Sequence, residues 1–195
     1  DEFTSFINEC AKDNDVEIWP IYFDLQDVTQ IRSAMKGVLS SKKPIDVLVN
    51  NAGITYNALF QMANIEKMQE IFDVNYFSQI IITQYVLKVM LRKKKGSIIN
   101  IASAAGIDGT SGRSIYGASK AAVICATKAL AKEVGDSGIR VNSIAPGITE
   151  TDMLSTMNEE VLNHEKSQTH LERFADPTEI ANTCLFLASE LSNYI

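Results

Sequence analysis

A tyrosine and a lysine four residues apart, with a serine thirteen residues earlier, are the side chains best suited to chemistry in this sequence. Tyr116 and Lys120 lie in the run SIYGASKAA, and Ser103 follows the apolar run 97–102. Residues four apart share a helix face, so the ammonium group can favour the ionised phenol. A nearby hydroxyl can hold a carbonyl oxygen while the tyrosine gives or takes its proton. The pattern predicts proton transfer coupled to hydride transfer at a carbonyl.

The tyrosine–lysine spacing alone is equally typical of a solvated helix surface, so its surroundings matter. Five small residues flank the pair: Gly117, Ala118, Ser119, Ala121 and Ala122. A solvated face would more often carry Glu and Lys. The small side chains favour close packing against a helix or a flat ligand.

Two further segments follow apolar runs and could reach a ligand. Asn51, Ala52 and Gly53 come directly after the run 45–49, where alanine and glycine let the backbone approach a bound molecule. An ordinary asparagine-rich turn explains them equally well. Asp24 and Leu25 follow the run 16–23, where the carboxylate could accept a hydrogen bond from an adenine amino group or belong to a helix N-terminus beside Asp27.

The segment 146–151 and Asn75 complete the set of candidate residues. Pro146 and Gly147 end the apolar run 140–145, and Thr149 and Thr151 follow them. Their backbone and hydroxyl groups could face a carboxamide or a phosphate, or simply connect a strand to a helix. Asn75 separates two apolar helical stretches, which predicts a side-chain hydrogen bond inside the fold or a helix junction.

Strands and helices alternate along the chain, which predicts a parallel sheet between two layers of helices. Predicted strands are 16–23, 45–49, 97–102 and 140–145; predicted helices are 64–73, 76–92, 114–134 and 177–189, with amphipathic stripes at 3–10 and 28–39. The fold class is therefore a Rossmann-like, doubly wound α/β sheet in a three-layer sandwich. Without a linker or an internal repeat, residues 1–195 indicate one domain.

Composition excludes several classes of function. The chain has 195 residues, 46% of them apolar, and a net charge of −6, which disfavours a nucleic-acid partner. No apolar run reaches the ~18 residues of a membrane helix. The cysteines Cys10, Cys125 and Cys184 are far apart, which fits buried positions in a reducing, cytoplasmic compartment better than disulfides. His164 and His170 show no metal-binding pattern.

Two other patterns have plain structural interpretations. The run Arg92–Lys95 precedes Gly96, where cations at a helix C-terminus oppose the helix dipole; a docking surface for an acidic partner is the alternative. Gly106, Gly109 and Gly112 are spaced GxxGxxG rather than GxGxxG, so we interpret them as a flexible loop beside the substrate.

Taken together, these motifs resemble those of the short-chain dehydrogenase/reductases. The matching segments are PIDVLVNNAGIT, GSIINIAS, YGASKAAV, GIRVNSIAPGITETDM and RFADPTEIA, in this order. They are most similar to the branch of bacterial 3-oxoacyl-[acyl-carrier-protein] reductases. The resemblance spans nearly the whole chain and implies an NAD(P)-dependent oxidoreductase that interconverts a ketone and a secondary alcohol.

The resemblance also implies roles for the matching residues. Tyr116 would be the general acid or base, Lys120 would lower its pKa and bind the nicotinamide ribose, and Ser103 would orient the carbonyl. Asn75 would anchor a water that links Lys120 to solvent. The coenzyme would be contacted by Asp24 and Leu25 at the adenine, by Asn51, Ala52 and Gly53 in the groove, and by Pro146, Gly147, Thr149 and Thr151 at the carboxamide and phosphate end.

Partners and substrate also follow from the resemblance alone. Residues 152–171 would form the substrate lid, and Arg92–Lys95 would help to dock an acidic carrier protein. The substrate would be a small or carrier-protein-linked carbonyl compound, with no metal, and the assembly a homotetramer or homodimer. A sugar, steroid or polyol dehydrogenase, and a non-catalytic protein of the same fold, are the alternatives.

The sequence departs from the family pattern at its start, where no TGxxxGIG turn precedes Asp1. We therefore expect residues 1–195 to lack the opening β-α-β portion and the last strand, and to be part of a longer chain. On their own they should neither form a compact monomer nor bind a dinucleotide tightly. The residue that selects the adenosine ribose normally follows the second strand, so only the resemblance favours NADP over NAD.

Overall fold

The structure is a computed structural model that describes residues 2–152, 154 and 159–195. In chain order the elements are α1 (Glu2–Asp13), α2 (Val28–Ser40), β1 (Val47–Asn50), α3 (Ile65–Phe72), α4 (Ser78–Lys93), β2 (Gly96–Ile101), α5 (Ala105–Asp108), α6 (Ser114–Val134), β3 (Ile139–Ile144), α7 (Glu159–Ser167) and α8 (Pro177–Ala188). The predicted alternation of strands and helices is confirmed. None of the helices in the described ranges is both long and apolar enough to span a membrane.

The three strands form one parallel sheet in the order β1-β2-β3. Val47 pairs with Ser97 at one end of the β1–β2 ladder, and Ile139 pairs with Gly96 at the start of the β2–β3 ladder. All six residues of β2 are buried, which explains why its sequence is apolar on both faces. Because the strands are parallel, their carboxyl ends meet at one edge.

Helices cover both faces of the sheet. On one face Ile98 of β2 packs with Met35 of α2, Met90 of α4 and Val134 of α6. On the other face Ile99 and Ile101 of β2 pack against Leu187 of α8. Successive β2 side chains therefore serve opposite layers, as the two-residue period of a strand requires. This is the three-layer Rossmann-like arrangement that the sequence predicts.

Local sequence signals set the helix ends that orient the site. The Asp27 carboxylate accepts hydrogen bonds from the backbone N–H groups of Thr29 and Gln30 at the start of α2. Asp176 and Glu179 form a capping box at the start of α8, with Pro177 in the first turn as predicted. Lys94 ends α4 in the left-handed conformation, with φ of 53°.

The prediction of a strand at residues 16–23 is wrong. These residues form no ladder, and their apolar side chains, including Ile21 and Tyr22, are exposed except for Phe23, which packs against the core. A strand needs a partner for its backbone groups, and no described strand lies beside this segment. The exposed Trp19 ring is instead covered by the Lys43 ammonium, with Nζ 3.0 Å from the ring centroid.

Two smaller predictions also fail. The cysteines are not buried: Cys125 is exposed on α6, and Cys10 and Cys184 are only half-buried. Gly106 lies in helix α5 rather than in a loop, and a Cβ at this position would lie only 2.8 Å from the Ala121 backbone nitrogen. Gly109 and Gly112 do lie between α5 and α6, both with positive φ.

Candidate active site

Ser103, Tyr116 and Lys120 border the same cavity at the carboxyl ends of the strands. The cavity has a volume of about 300 Å³. Ser103 lies two residues beyond the end of β2, while the other two residues project from the first two turns of α6. Tyr116 and Lys120 are both buried, although they reach the cavity wall. The structure thus brings together the three residues predicted to carry the chemistry.

Position 120 is an unusual place for a lysine because only 3% of the residue is exposed. Its ammonium group donates a hydrogen bond to the carbonyl oxygen of Ile101, at an Nζ–O distance of 2.7 Å. Nζ lies 6.0 Å from the centroid of the Tyr116 ring. Burial disfavours the charged form and lowers the pKa of Lys120 to about 8. The site therefore holds a cation whose charge is costly to keep.

Close helix packing fixes the position of α6 against the end of β2. A Cβ at Gly117 would come within 2.7 Å of the Ala105 carbonyl oxygen, so only glycine allows this approach. Gly106 makes the reciprocal close contact with the backbone at Lys120. The small residues around the Tyr116–Lys120 pair therefore pack against α5, which is one of the two roles that the sequence allowed.

Asn75 is completely buried and bonded in three directions. It lies in a single π-helical turn, Asp73–Phe77, between α3 and α4. Its Oδ1 accepts from the Ile54 N–H at 2.8 Å, and its Nδ2 donates to the Ile54 carbonyl oxygen at 2.9 Å. Nδ2 also donates to Ser119 Oγ at 3.1 Å. The predicted side-chain hydrogen bond is confirmed, and it ties the loop after β1 to α6.

The loop after β1 forms another wall of the cavity. Asn51 and Gly53 border the cavity, while the Ala52 carbonyl oxygen accepts a hydrogen bond from Gln79 Nε2 at 3.0 Å. A Cβ at Gly53 would lie 3.3 Å from Lys120 Nζ and 3.2 Å from Asn75 Oδ1. The absence of a side chain at Gly53 therefore keeps the space beside Lys120 Nζ and Asn75 Oδ1 clear.

The segment after β3 forms the opposite wall. Pro146, Gly147, Thr149 and Thr151 all border the cavity. The Ala104 N–H donates to the Pro146 carbonyl oxygen at 2.9 Å, which continues the β2–β3 pairing past the strand ends. Further along, Thr149 pairs with Ala175 in an isolated parallel bridge. These bonds hold the two threonines at the cavity edge.

Asp24 and Leu25 do not border this cavity. Asp24 is exposed, and its carboxylate accepts a hydrogen bond from the Gln26 N–H at 2.8 Å. Its own N–H donates to the Gln30 side chain at 3.1 Å. These contacts belong to the start of α2, which is the alternative that the sequence left open.

Sequence reasoning missed three charged residues at the cavity. Asp108 at the end of α5, Arg113 before α6 and Glu165 in α7 all border it. Their residue types follow no fixed spacing, so no sequence signal marks them. Of the predicted lid, residues 153 and 155–158 lie outside the described residues, while Leu154 and Glu165 border the cavity.

A larger cavity of about 850 Å³ lies at the opposite, amino ends of the strands. Its charged residues already serve the fold. Lys95 pairs with Glu190 at 2.8 Å, and Arg140 donates to the carbonyl oxygens of Leu187 and Ile195. Ligands of open α/β sheets bind at the carboxyl ends of the strands, so the smaller cavity is the candidate active site.

Comparisons with known proteins identify this chain as an NAD(P)-dependent oxidoreductase. A family model described as enoyl-(acyl carrier protein) reductase matches residues 1–195. The chain belongs to the short-chain dehydrogenase/reductase family, and its activity is NAD(P)-dependent oxidation and reduction between a ketone and a secondary alcohol.

Similar proteins cover most of the chain. The 3-oxoacyl-[acyl-carrier-protein] reductase of Aquifex aeolicus is 38% identical over 96% of this chain and 75% of its own length. The acetoacetyl-CoA reductase of an Acinetobacter species is 39% identical with the same coverage. A crystal structure of a protein described as a gluconate dehydrogenase from Agrobacterium tumefaciens superposes with a TM-score of 0.93 at 27% identity, covering 98% of this chain and 76% of that one.

Proposed function

We propose that this protein reduces a 3-oxoacyl thioester to the 3-hydroxyacyl thioester, with NADPH as the preferred coenzyme. The observation that carries the proposal is the meeting of Ser103, Tyr116 and Lys120 in one cavity at the carboxyl end of β2. A nicotinamide coenzyme, held by Asn51, Gly53 and the segment 146–151, would supply the hydride for the carbonyl carbon. The two relatives named as acyl-thioester reductases support this choice of substrate.

In the proposed mechanism the protein's own residues manage the oxygen and its proton. Ser103 Oγ donates a hydrogen bond to the ketone oxygen and orients the carbonyl. Tyr116 gives its hydroxyl proton to that oxygen as negative charge develops, and takes the proton back in the reverse reaction. Lys120 would hold a positive charge beside the Tyr116 phenol and the ribose of the coenzyme. It would also pass a proton from the solvent side toward Tyr116.

Asn75 acts through other groups. Its bonds to Ile54 and Ser119 keep the loop after β1 in register with α6, and we propose that Asn75 also anchors the water that connects Lys120 to solvent. Asn75 is thus a positioning residue, whereas Tyr116 touches the reacting atoms.

The coenzyme assignments extend this proposal along the cavity. Asn51, Ala52 and Gly53 would line the groove, while Pro146, Gly147, Thr149 and Thr151 would meet the carboxamide and phosphates. Asp24 and Leu25 would contact the adenine, away from the reaction. The preference for NADP over NAD rests on the resemblance to the reductases of fatty-acid synthesis.

We also propose a single-domain protein that works in the cytoplasm as a homotetramer or homodimer. The groove between α4 and α6, bordered by Ile80, Ala126 and Ala129, is the surface we assign to assembly. The cations of Arg92–Lys95 are assigned to docking an acidic carrier protein, although Lys93 and Lys95 already pair with Asp46 and Glu190.

The direct test is a substrate panel with the purified full chain. Acetoacetyl-CoA should be reduced with NADPH, and more efficiently than with NADH. Crotonyl-CoA tests reduction of a carbon–carbon double bond, the reaction in the family model's description, and gluconate tests the activity named for the structural neighbour. Turnover of crotonyl-CoA, gluconate or a secondary alcohol without turnover of acetoacetyl-CoA would refute the proposal. Coenzyme binding without any turnover would favour a non-catalytic protein.

A further inference from the structure

Helix α6 contains a fully buried serine, Ser119, directly before Lys120 and three residues after Tyr116. Unlike those two residues, Ser119 does not border the cavity at the carboxyl ends of the strands. Burying a hydroxyl group is costly unless the group is hydrogen-bonded. The hydrogen-bond partners of Ser119 therefore indicate what it does.

The Ser119 hydroxyl joins the backbone of Tyr116 to the side chain of Asn75. Its Oγ donates a hydrogen bond to the Tyr116 carbonyl oxygen at 2.7 Å. Because its one proton is used in this bond, the hydroxyl can only accept a second one, and it accepts from Asn75 Nδ2 at 3.1 Å. In an α-helix the Tyr116 carbonyl oxygen also accepts from the Lys120 N–H. Ser119 therefore bonds to the helical turn that joins the tyrosine to the lysine.

The other bonds of Asn75 extend this connection to the loop after β1. The Asn75 amide bonds to both the N–H and the carbonyl oxygen of Ile54. The preceding residue, Gly53, borders the cavity. A Cβ at Gly53 would lie 3.2 Å from Asn75 Oδ1 and 3.3 Å from Lys120 Nζ, so both atoms face the same space. Ser119 thus connects this wall of the cavity to helix α6.

The first turns of α6 are held from two sides. A Cβ at Gly117 would come within 2.7 Å of the Ala105 carbonyl oxygen of α5. Gly117 and Ser119 are two residues apart, which places them about 200° apart around the helix axis. Packing against α5 restrains one face of α6, and the bond to Asn75 restrains nearly the opposite face. Without the second restraint, the turn would be free to rotate about its contact with α5.

The same bonding pattern about two turns further along α6 lies away from the cavity. Thr127 Oγ1 donates to the Val123 carbonyl oxygen at 2.8 Å and accepts from Asn100 Nδ2 at 2.8 Å. None of these three residues borders the cavity. The pattern alone therefore indicates no function. The partners of Ser119 distinguish it, because they are Tyr116 and Asn75.

We propose that Ser119 is a positioning residue for the reaction, which holds Tyr116 and Lys120 in register with the loop after β1. The inference rests on the proposed acid–base role of Tyr116. Ser119 acts through the Tyr116 backbone and the Asn75 amide, without touching the substrate or the coenzyme. Misplacement by ~1 Å can cost about 100-fold in rate, and the loss of one restraint among several should cost less.

The first test is Ser119→Ala, which removes the hydroxyl and keeps the Cβ. With acetoacetyl-CoA and NADPH, well below the Tm of each variant, kcat should fall by about tenfold. KM for acetoacetyl-CoA should stay within about twofold of the wild type, because Ser119 does not border the cavity.

Ser97→Ala is the matched control, since Ser97 is also buried and its Oγ donates to the Leu187 carbonyl oxygen at 2.8 Å near the amino end of β2. Both Ser97→Ala and Ser119→Ala should lower the Tm by several degrees, because each removes a buried hydrogen bond. Only Ser119→Ala should lower kcat. An unchanged kcat in Ser119→Ala, or an equal loss in Ser97→Ala, would overturn the inference while leaving the proposed function intact.

A double variant tests whether Ser119 acts through Asn75. In a protein that already carries Asn75→Ala, adding Ser119→Ala should lower kcat by less than about twofold further, because the bond between the two side chains is already lost. A further loss of about tenfold would show that the two residues act independently and would overturn the inference. Failure of the wild type to reduce acetoacetyl-CoA would overturn the proposed function, and the inference with it.

Discussion

Two lysines at opposite ends of the same strand show how the molecule treats its site differently from its surface. Lys120 lies at the carboxyl end of β2 and is almost fully buried, and burial lowers its pKa to about 8. Lys95 precedes the amino end of β2 and is exposed, and its bond to Glu190 raises its pKa. The buried ammonium group of Lys120 therefore lowers the free energy of unfolding, whereas the exposed ammonium group of Lys95 does not.

The contrast teaches where to look for chemistry in this fold. An exposed ion pair contributes little to stability and indicates no function by itself. A buried lysine bonded to a single carbonyl oxygen has no structural benefit that offsets its desolvation. The cost at Lys120 is understandable if the cation serves a bound coenzyme and a nearby phenol.

The largest effect should come from removing the Tyr116 hydroxyl. Tyr116→Phe keeps the ring and its packing but removes the proton donor, so kcat should fall by on the order of 10³-fold or more. Coenzyme affinity, measured by fluorescence titration, should change little. Tyr22→Phe, at a residue outside the cavity, is the control and should keep full activity. Retained turnover in Tyr116→Phe would show that the Tyr116 hydroxyl is not the proton donor of this active site.

The pH dependence of stability should separate the two lysines. The folded-state pKa of Lys120 is about 8, below the 10.5 of an unperturbed lysine, so its penalty is complete below pH 8. The penalty disappears as the pH rises toward 10.5, because the unfolded state then also loses the proton. The unfolding free energy of the wild type relative to Lys120→Met should therefore rise by about 3 kcal/mol from pH 8 to 10.5.

Urea unfolding of the coenzyme-free protein across this pH range is the measurement. Lys95→Met provides the matched comparison: because the pKa of Lys95 is raised, its contribution to stability stays constant below pH 10.5 and is lost only as the pH rises through its folded-state pKa, so this variant should show no such rise. A pH-independent difference between the wild type and Lys120→Met would show that the ammonium group is not desolvated.

Asn75 should matter for stability and for coenzyme binding together. Asn75→Ala leaves the N–H and carbonyl oxygen of Ile54 without their partner, which should cost about 2–3 kcal/mol of unfolding free energy. The loop after β1 should then lose its register, and KM for the coenzyme should rise several-fold. Asn14→Ala, at an exposed site, should cost under about 0.5 kcal/mol. An Asn75→Ala protein as stable as Asn14→Ala would contradict the positioning role.

The smallest effect is expected at the basic run. Lys95→Met removes an exposed pair with Glu190 and should change kcat/KM for acetoacetyl-CoA by less than about twofold. With a carrier-protein-linked substrate, KM should rise if this run docks the carrier. Equal KM values for the wild type and the variant would count against the docking surface.

Sequence patterns predict the part of the structure that depends on local rules. Helix α6 and strand β2 lie within one residue of their predicted bounds, because apolar runs and small-residue faces report burial directly. The start of α8 follows from Pro177 and the capping residues before it. The tyrosine, lysine and serine meet because parallel strands end at one edge.

What the sequence could not give depends on partners distant in the chain. The segment 16–23 has the composition of a strand, but pairing requires a neighbour that no residue within the segment specifies. Cys125 has an apolar side chain, yet its position on α6 leaves it exposed. Arg113 and Glu165 reach the cavity only through the path of the loops, so their types alone carried no signal.

The central claim is that the ketone, the coenzyme and Tyr116 meet at the carboxyl end of β2. A crystal structure of the ternary complex with NADP⁺ and a 3-hydroxyacyl thioester tests it most directly. We predict that the substrate oxygen lies ~2.6–3.2 Å from both Tyr116 Oη and Ser103 Oγ, with the nicotinamide C4 ~3–3.5 Å from the reacting carbon. A nicotinamide bound elsewhere, or a substrate oxygen beyond reach of the Tyr116 hydroxyl, would contradict the account.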